Sequence, residues 1–162
     1  MKTTFKFAIL LIFILSAGFS TSAAEKTKKF NQSWPAAGIE TLRISNKFGE
    51  VKFKNDNSST ISINVLVTVE ASSESKATEI INNIDVKINK SGSVVTAETI
   101  FENSFRGNNR FKIDYEINVP SDRNLEVSNK YGNVVVGQLT GKGDFDVQYG
   151  SITAVSLKGI ST

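Results

Sequence analysis

Asn129-Lys130-Tyr131-Gly132-Asn133-Val134 returns as Val147-Gln148-Tyr149-Gly150-Ser151-Ile152, and the two tyrosines stand 18 residues apart. At the same offset Val127 meets Phe145, Val134 meets Ile152, Leu139 meets Leu157 and Gly141 meets Gly159. A period this short is too small for a helical repeat and suits a coil of β-strands. Each unit reads as an alternating strand (Leu125, Val127, Asn129), a corner at Tyr131-Gly132, and a second strand (Val134, Val136) that ends near Leu139 and Gly141. Alternation sends one set of side chains inward and the other to solvent. Gly132 and Gly150 are expected to supply positive φ at a corner, where a side chain would clash. Tyr131 and Tyr149 are then expected to stack in successive coils. One coil cannot bury its own apolar face, so neighbours have to stack on it.

The phrase also occurs earlier. Leu42-Arg43-Ile44-Ser45-Asn46-Lys47-Phe48-Gly49-Glu50-Val51 aligns with Leu125 to Val134, with Leu, Ser, Asn, Lys, Gly and Val identical. The offset is 83 residues, so the first copy precedes a long excursion. The alternative reading of these copies is a set of similar hairpins in an ordinary all-β domain. Asn46 and Asn129 occupy matching sites, where an asparagine satisfies corner backbone groups and forms a ladder.

The excursion is legible in pieces. Leu42, Ile44, Val51 and Phe53 predict a hairpin-like pair around Phe48-Gly49, and Asn55-Asp56-Asn57-Ser58-Ser59 is a turn by composition. Ile61, Ile63, Val65, Val67 and Val69 alternate as a strand, with Leu66 breaking its polar face. Ser72 or Ser73 caps a short amphipathic helix over 74–83, with Glu74 in its first turn and Ala77, Ile80, Ile81 and Ile84 as its stripe. That stripe suits cover for a sheet, since it is too short and too weakly basic for a membrane surface. Val86 and Ile88, then Val94 to Phe101, are strands about a Ser91-Gly92 turn; Glu102 to Arg110 is a polar loop. Phe111, Ile113, Tyr115, Ile117 and Val119 alternate until Pro120 stops the strand. Trp34, the one tryptophan, is expected to plug the open end of the coil, with ligand stacking as the sharper reading.

The N-terminus carries an address. Lys2 and Lys6 precede the apolar run Phe7 to Leu15, and Ser22-Ala23-Ala24 is a small-residue cleavage site. Residues 1–24 read as a secretory signal peptide, too short to span a bilayer, with an uncleaved anchor as the alternative. No cysteine follows the apolar run, which excludes a bacterial lipoprotein. Residues 25–33 are polar and expected to be a flexible start, and 34–162 form one domain. On the 18-residue register Thr162 matches Asp144, where another coil would begin, so the domain is expected to be incomplete at its C-terminal end or capped by a partner.

Without residues 1–24 the chain keeps 17 basic and 16 acidic residues, a net +1, and no stretch long enough to span a membrane. That balance gives no case for nucleic acid. There is no cysteine and no histidine, which excludes disulfides, thiolate and imidazole catalysis and the usual zinc or copper ligands. Asp114, Glu116, Asp144 and Asp146 are the carboxylates that a glycoside hydrolase or β-helical lyase would need, and a solvated strand face explains them as well. Gly141-Lys142-Gly143-Asp144-Phe145-Asp146 resembles a calcium-binding β-roll repeat but occurs once. Gly137 to Gly143 is glycine-rich without phosphate-loop spacing. Phe105 and Phe111 beside Arg106 and Arg110 suit a glycan or nucleic-acid contact, or simply pin a loop. No catalytic, cofactor or metal residue is assigned.

The leader, the early Asn-Lys-Phe-Gly strand, the helix-containing excursion, the strand ending in Val119-Pro120 and the later Tyr-Gly phrases resemble the putative-adhesin family of unknown function from Bacteroidota. That family is similar to the head GIN domains of auto-transporter-like adhesins. The resemblance covers residues 30–162 and implies a single-stranded right-handed β-helix (β-solenoid) with the short helix in its N-terminal half. It also implies export to the periplasm, the outer cell surface or the medium. The function expected is a non-enzymatic envelope or surface protein binding glycan or protein. The alternatives are a periplasmic structural or signalling-partner domain and, remotely, a β-helical carbohydrate-active enzyme.

Overall fold

The computed structural model describes residues 23–55, 58–102 and 110–158. Its elements are β1 (Ala24–Pro35), β2 (Thr41–Phe48), β3 (Val51–Lys54), β4 (Thr60–Ala71), α1 (Glu74–Asn82), β5 (Ile84–Ser91), β6 (Val94–Phe101), β7 (Arg110–Asn118), β8 (Asn124–Tyr131), β9 (Val134–Leu139), β10 (Gly143–Val147) and β11 (Ile152–Leu157). They build two facing sheets, one of six strands in the order β1-β4-β7-β3-β9-β11 and one of five in the order β10-β8-β2-β6-β5. The apolar faces of both meet in one core.

This corrects the expected single-stranded right-handed β-helix. Both sheets are mixed. β4 lies antiparallel to β1 on one side and to β7 on the other, and β5 and β6 are an antiparallel hairpin about Gly92. A β-helix needs parallel strands throughout; the excursion instead inserts long strands that reverse. The repeat survives as register. β10 pairs in parallel with β8, Gly143 beside Leu125, and β11 with β9, Ile152 beside Val134, so each repeat contributes one strand to each sheet. The early copy joins them, with Leu42 beside Leu125 and Val51 beside Val134.

The long strands follow from strict alternation. Ile61, Ile63, Val65, Val67 and Val69 on β4 and Ile113, Tyr115 and Ile117 on β7 are all buried, while their neighbours face outward. Phe48-Gly49 is not a hairpin turn: β2 ends in the five-stranded sheet and β3 begins in the six-stranded one. Gly49 sits at φ +117, and an added Cβ would collide with the Ile113 backbone, so the chain turns a corner there rather than folding back.

Residues 25–33, expected to be flexible, lie within β1 and pair with β4 from Glu25 beside Glu70 to Ser33 beside Ser62. Lysines hid this strand. Lys26 and Lys28 take inward-leaning, half-buried positions. Their stems cover apolar surface while their heads find partners at the rim. Lys26 pairs with Glu74 at 3.1 Å; Lys28 donates to the Ile84 carbonyl at 3.1 Å and faces Asp85 at 3.7 Å. α1 closes this end of the core. Ser73 caps it by accepting from the Lys76 N–H at 3.2 Å, and Ala77, Ile80 and Ile81 are buried against β1 and β4. Trp34 is half-buried on β1, opposite Ile61, and packs against the core from the edge of the six-stranded sheet.

Candidate functional site

Three rungs, β2–β3, β8–β9 and β10–β11, turn from one sheet to the other at aromatic-glycine corners, and the corners stack. The rings of Phe48 and Tyr131 lie 5.1 Å apart and 12° from parallel; those of Tyr131 and Tyr149 lie 5.1 Å apart and 14° from parallel. Phe101 and Phe111 pack edge-on against Phe48 and hold the inner end of the column. Beside the rings runs a column of glycines. A Cβ on Gly49 would strike the Ile113 carbonyl, on Gly132 the Gly49 carbonyl, and on Gly150 the Gly132 carbonyl. Ring stacking therefore depends on the absent side chains: the backbones approach only because nothing stands between them.

Asparagines form a third column. Asn46 donates through Nδ2 to the Ile113 carbonyl at 3.0 Å, and Asn129 through Nδ2 to the Gly49 carbonyl at 2.9 Å. Both are buried, so these bonds satisfy carbonyls that water does not reach. Thr99 Oγ1 donates to Asn46 Oδ1 at 3.0 Å and lies 2.7 Å from the Tyr115 hydroxyl, tying the two sheets together. Burial pushes the Tyr115 phenol well above its ordinary pKa, and the Thr99 hydrogen bond offsets part of that rise. On the third rung the asparagine position is Val147.

Among the described residues the columns end at an uncovered face. β11 and β10 are the last strands of their sheets on the same side. Tyr149 is 78% exposed and Tyr131 39%. Ile152, whose counterpart Val134 is fully buried, is 44% exposed, and Val155 is 86% exposed. Gly132 takes the expected positive φ, but at the last corner Gly150 does not: Tyr149 holds φ +54 instead, left-handed backbone that a non-glycine residue adopts at a cost.

The sequence-singled carboxylates do not converge. Asp114 and Glu116 lie on the outer face of the six-stranded sheet. Asp114 accepts from the Glu50 N–H at 2.9 Å and pairs with Lys112 at 2.7 Å; Glu116 pairs with Lys54 at 2.7 Å. They border a groove of about 440 Å³ that also holds Lys29, Asn31 and Leu66. Asp144 and Asp146 lie on the outer face of the other sheet, with Arg43 and Glu126 around a shallow depression of about 260 Å³. The two pairs are thus separated by the whole core. Gly143 to Val147 is strand rather than loop, and among the described residues no group of three or more His, Cys, Asp or Glu is gathered as a metal would need. Gly137 packs on Asn55 and Gly141 on the Arg123 carbonyl, which gives both glycines a packing role. Phe111 joins the aromatic column, and Arg110 is exposed beside Glu70; Phe105 and Arg106 lie outside the described residues.

Sequence reasoning missed the exposed Ile152 and Val155 and the row Arg43–Glu126–Asp144. The offsets of 83 and 18 residues already placed these three residues side by side, as the register has them. No helix among the described residues is long and apolar enough to cross a membrane.

No family model and no curated protein matches the chain. Among solved structures it is similar to a putative cell adhesion protein of Clostridium sporogenes, at 13% identity and a TM-score of 0.46, covering 78% of this chain and 59% of that one. It is also similar to a putative adhesin of Bacteroides fragilis, at 12% identity and a TM-score of 0.39, covering 82% and 60%, and to one of Parabacteroides merdae, at 12% and 0.40, covering 80% and 55%. The chain thus spans less than two thirds of the length of each of these structures.

Proposed function

We propose that this is a non-enzymatic, exported, adhesin-like module of the cell envelope or surface, which works by holding another macromolecule rather than by chemistry. The observation that carries the proposal is the group of apolar side chains Tyr149, Ile152 and Val155, which stand exposed beside one another among the described residues. Exposed apolar residues grouped at unpaired edges mark an interaction surface. Asp114 and Glu116 each stand paired with a lysine on a solvent-facing strand surface, which supports the same reading. Export rests on residues 1–24, nearly all outside the described residues. Cleavage after Ala24 would leave β1 whole from Glu25 onward.

The groove beside Leu66, Asn31 and Glu116 favours a second reading, in which a glycan lies across the outer face of the six-stranded sheet. Protease shaving of intact cells, with an epitope tag in 103–109, tests the placement. Release of the tag from unbroken cells is the expected result. Protection until lysis would overturn surface display and leave a periplasmic partner domain.

A further inference from the structure

The groove of about 440 Å³ on the outer face of the six-stranded sheet is lined entirely by described residues. Its floor is β4 and β7, interior strands of the sheet, with β1 on one side and β3 on the other. Register sets its contents in two rows. One runs Lys29–Leu66–Asp114 across β1, β4 and β7; the other runs Asn31–Asn64–Glu116–Lys52 across β1, β4, β7 and β3. Charge in these rows is unevenly satisfied. Asp114 pairs with Lys112 and Glu116 with Lys54, both at 2.7 Å. Among the described residues Lys29 and Lys52 make no ion pair, and Glu50 is the lining carboxylate without one. Two unpaired cations therefore stand against one unpaired anion, one cation on each side of the floor. Neighbouring strands lie about 4.8 Å apart, so the three steps from β1 to β3 separate the two lysine backbones by roughly 14 Å.

We propose that this groove takes an acidic polysaccharide, a chain of carboxylate-bearing sugars laid across the strands from β1 to β3. The proposal rests on the glycan reading of this face and adds the ligand's charge and direction. A sugar ring is amphipathic, with C–H groups on its faces and hydroxyls around its rim. Leu66, 37% exposed, is the apolar side chain that faces outward in the floor, and suits a ring face. Asn31 and Asn64 stand directly opposite one another, and their amides both donate to and accept from hydroxyls. The carboxylates follow from Lys29 and Lys52, whose ammonium groups are left to make charge-assisted hydrogen bonds with an incoming anion. Other polymers suit the groove less. The backbones of β4 and β7 are paired on both sides, which closes strand addition to a peptide. Tyr115, the aromatic residue of the lining, is buried, so nucleic acid finds no ring on which to stack a base.

The probes are hexasaccharides of galacturonic acid and of mannuronic acid, each also prepared as its methyl ester, titrated into the full chain by calorimetry. An acid form should bind saturably and weaken as salt is added, with its ester at least about tenfold weaker. Lys29→Glu combined with Lys52→Glu should abolish the preference for the acid. Lys87→Glu combined with Lys90→Glu makes an equal change of charge on β5 of the other sheet and should leave binding unchanged. All four lysines are exposed, so matched urea midpoints would show that the fold is intact in both variants. Equal losses from the two double variants would show attraction by net charge and overturn the site. Acid and ester binding equally well, and both weakened by Leu66→Asp, would overturn the acidic assignment and leave the glycan reading standing. Absence of saturable binding by acid and ester alike would overturn both. A single-stranded DNA of matched charge that binds as tightly as the acid, and needs the same two lysines, would overturn the sugar as ligand.

Discussion

Among the described residues the two ends of the sandwich differ in cover. At the first, α1 lays Ala77, Ile80 and Ile81 over β1 and β4, and Lys28 reaches from the edge of one sheet to the Ile84 carbonyl at the edge of the other. At the second, the same kind of inward-facing residue lies half open: Ile152 holds the register position of Val134, yet keeps nearly half its surface. Apolar burial stabilises by roughly 25 cal/mol per Å², so the open end forgoes stability that the capped end collects.

The largest expected effect tests whether the glycine column is structural at its centre and permissive at its end. Gly132 stands at φ +148 with its Cα against the Gly49 carbonyl, inside the stack. Gly132→Val should cost more than about 4 kcal/mol in urea unfolding, or prevent folding. Gly150→Val meets the same kind of clash with Gly132, but among the described residues its strands are sheet edges and can shift. It should cost distinctly less. Equal losses at the two sites would mean that the end is as rigidly held as the middle.

The same contrast applies to the side chains. Ile80→Ala, under the helix, should cost about 2–5 kcal/mol through lost transfer energy and a cavity. Ile152→Ala should cost less than about 1 kcal/mol, because much of that side chain is already in water. If Ile152 proves the more costly, the open end is already covered in solution, and sedimentation would show by what.

A smaller effect concerns the tie between sheets at the first rung. Tyr115, Thr99 and Asn46 form a buried chain of hydrogen bonds, and Tyr115→Phe should cost about 1 kcal/mol near neutral pH. The phenol is raised above its ordinary value of about 10, so the unfolded chain gives up its proton first. Stability contributed by this group is therefore complete below about pH 10 and falls as pH rises beyond it. Alkaline unfolding of the Phe variant should lack much of that fall. An unchanged alkaline profile would show that Tyr115 is not the group responsible.

Legibility in the sequence followed locality. The eighteen-residue offset, the stacked tyrosines, the corner glycines, the asparagine bonds and α1 were all readable, because each depends on spacing within one short stretch or on a repeated one. The sheet architecture was not. Whether β4 runs antiparallel to β7 depends on pairing Ile63 with Ile117, 54 positions away, and nothing in an alternating strand specifies its partner's direction. β1 was lost because lysine stems do the inward packing that apolar residues usually signal. The candidate carboxylates were separated by the same gap in knowledge: alternation placed Asp114 and Asp144 on outer faces, but only the sheet order shows that these are opposite faces.

The smallest expected effect is at Tyr149. Tyr149 pays for its ring stack with left-handed backbone at φ +54, and glycine would relieve that strain, by about 1 kcal/mol. Against the relief stand the lost stack with Tyr131, roughly 0.5–1.5 kcal/mol, and the greater freedom of glycine in the unfolded chain, about 0.5–1 kcal/mol. The terms nearly cancel, and Tyr149→Gly should lower stability by no more than about 1 kcal/mol. A stability loss well beyond that bound would mean that Tyr149 is held as firmly as the inner corners at Phe48 and Tyr131.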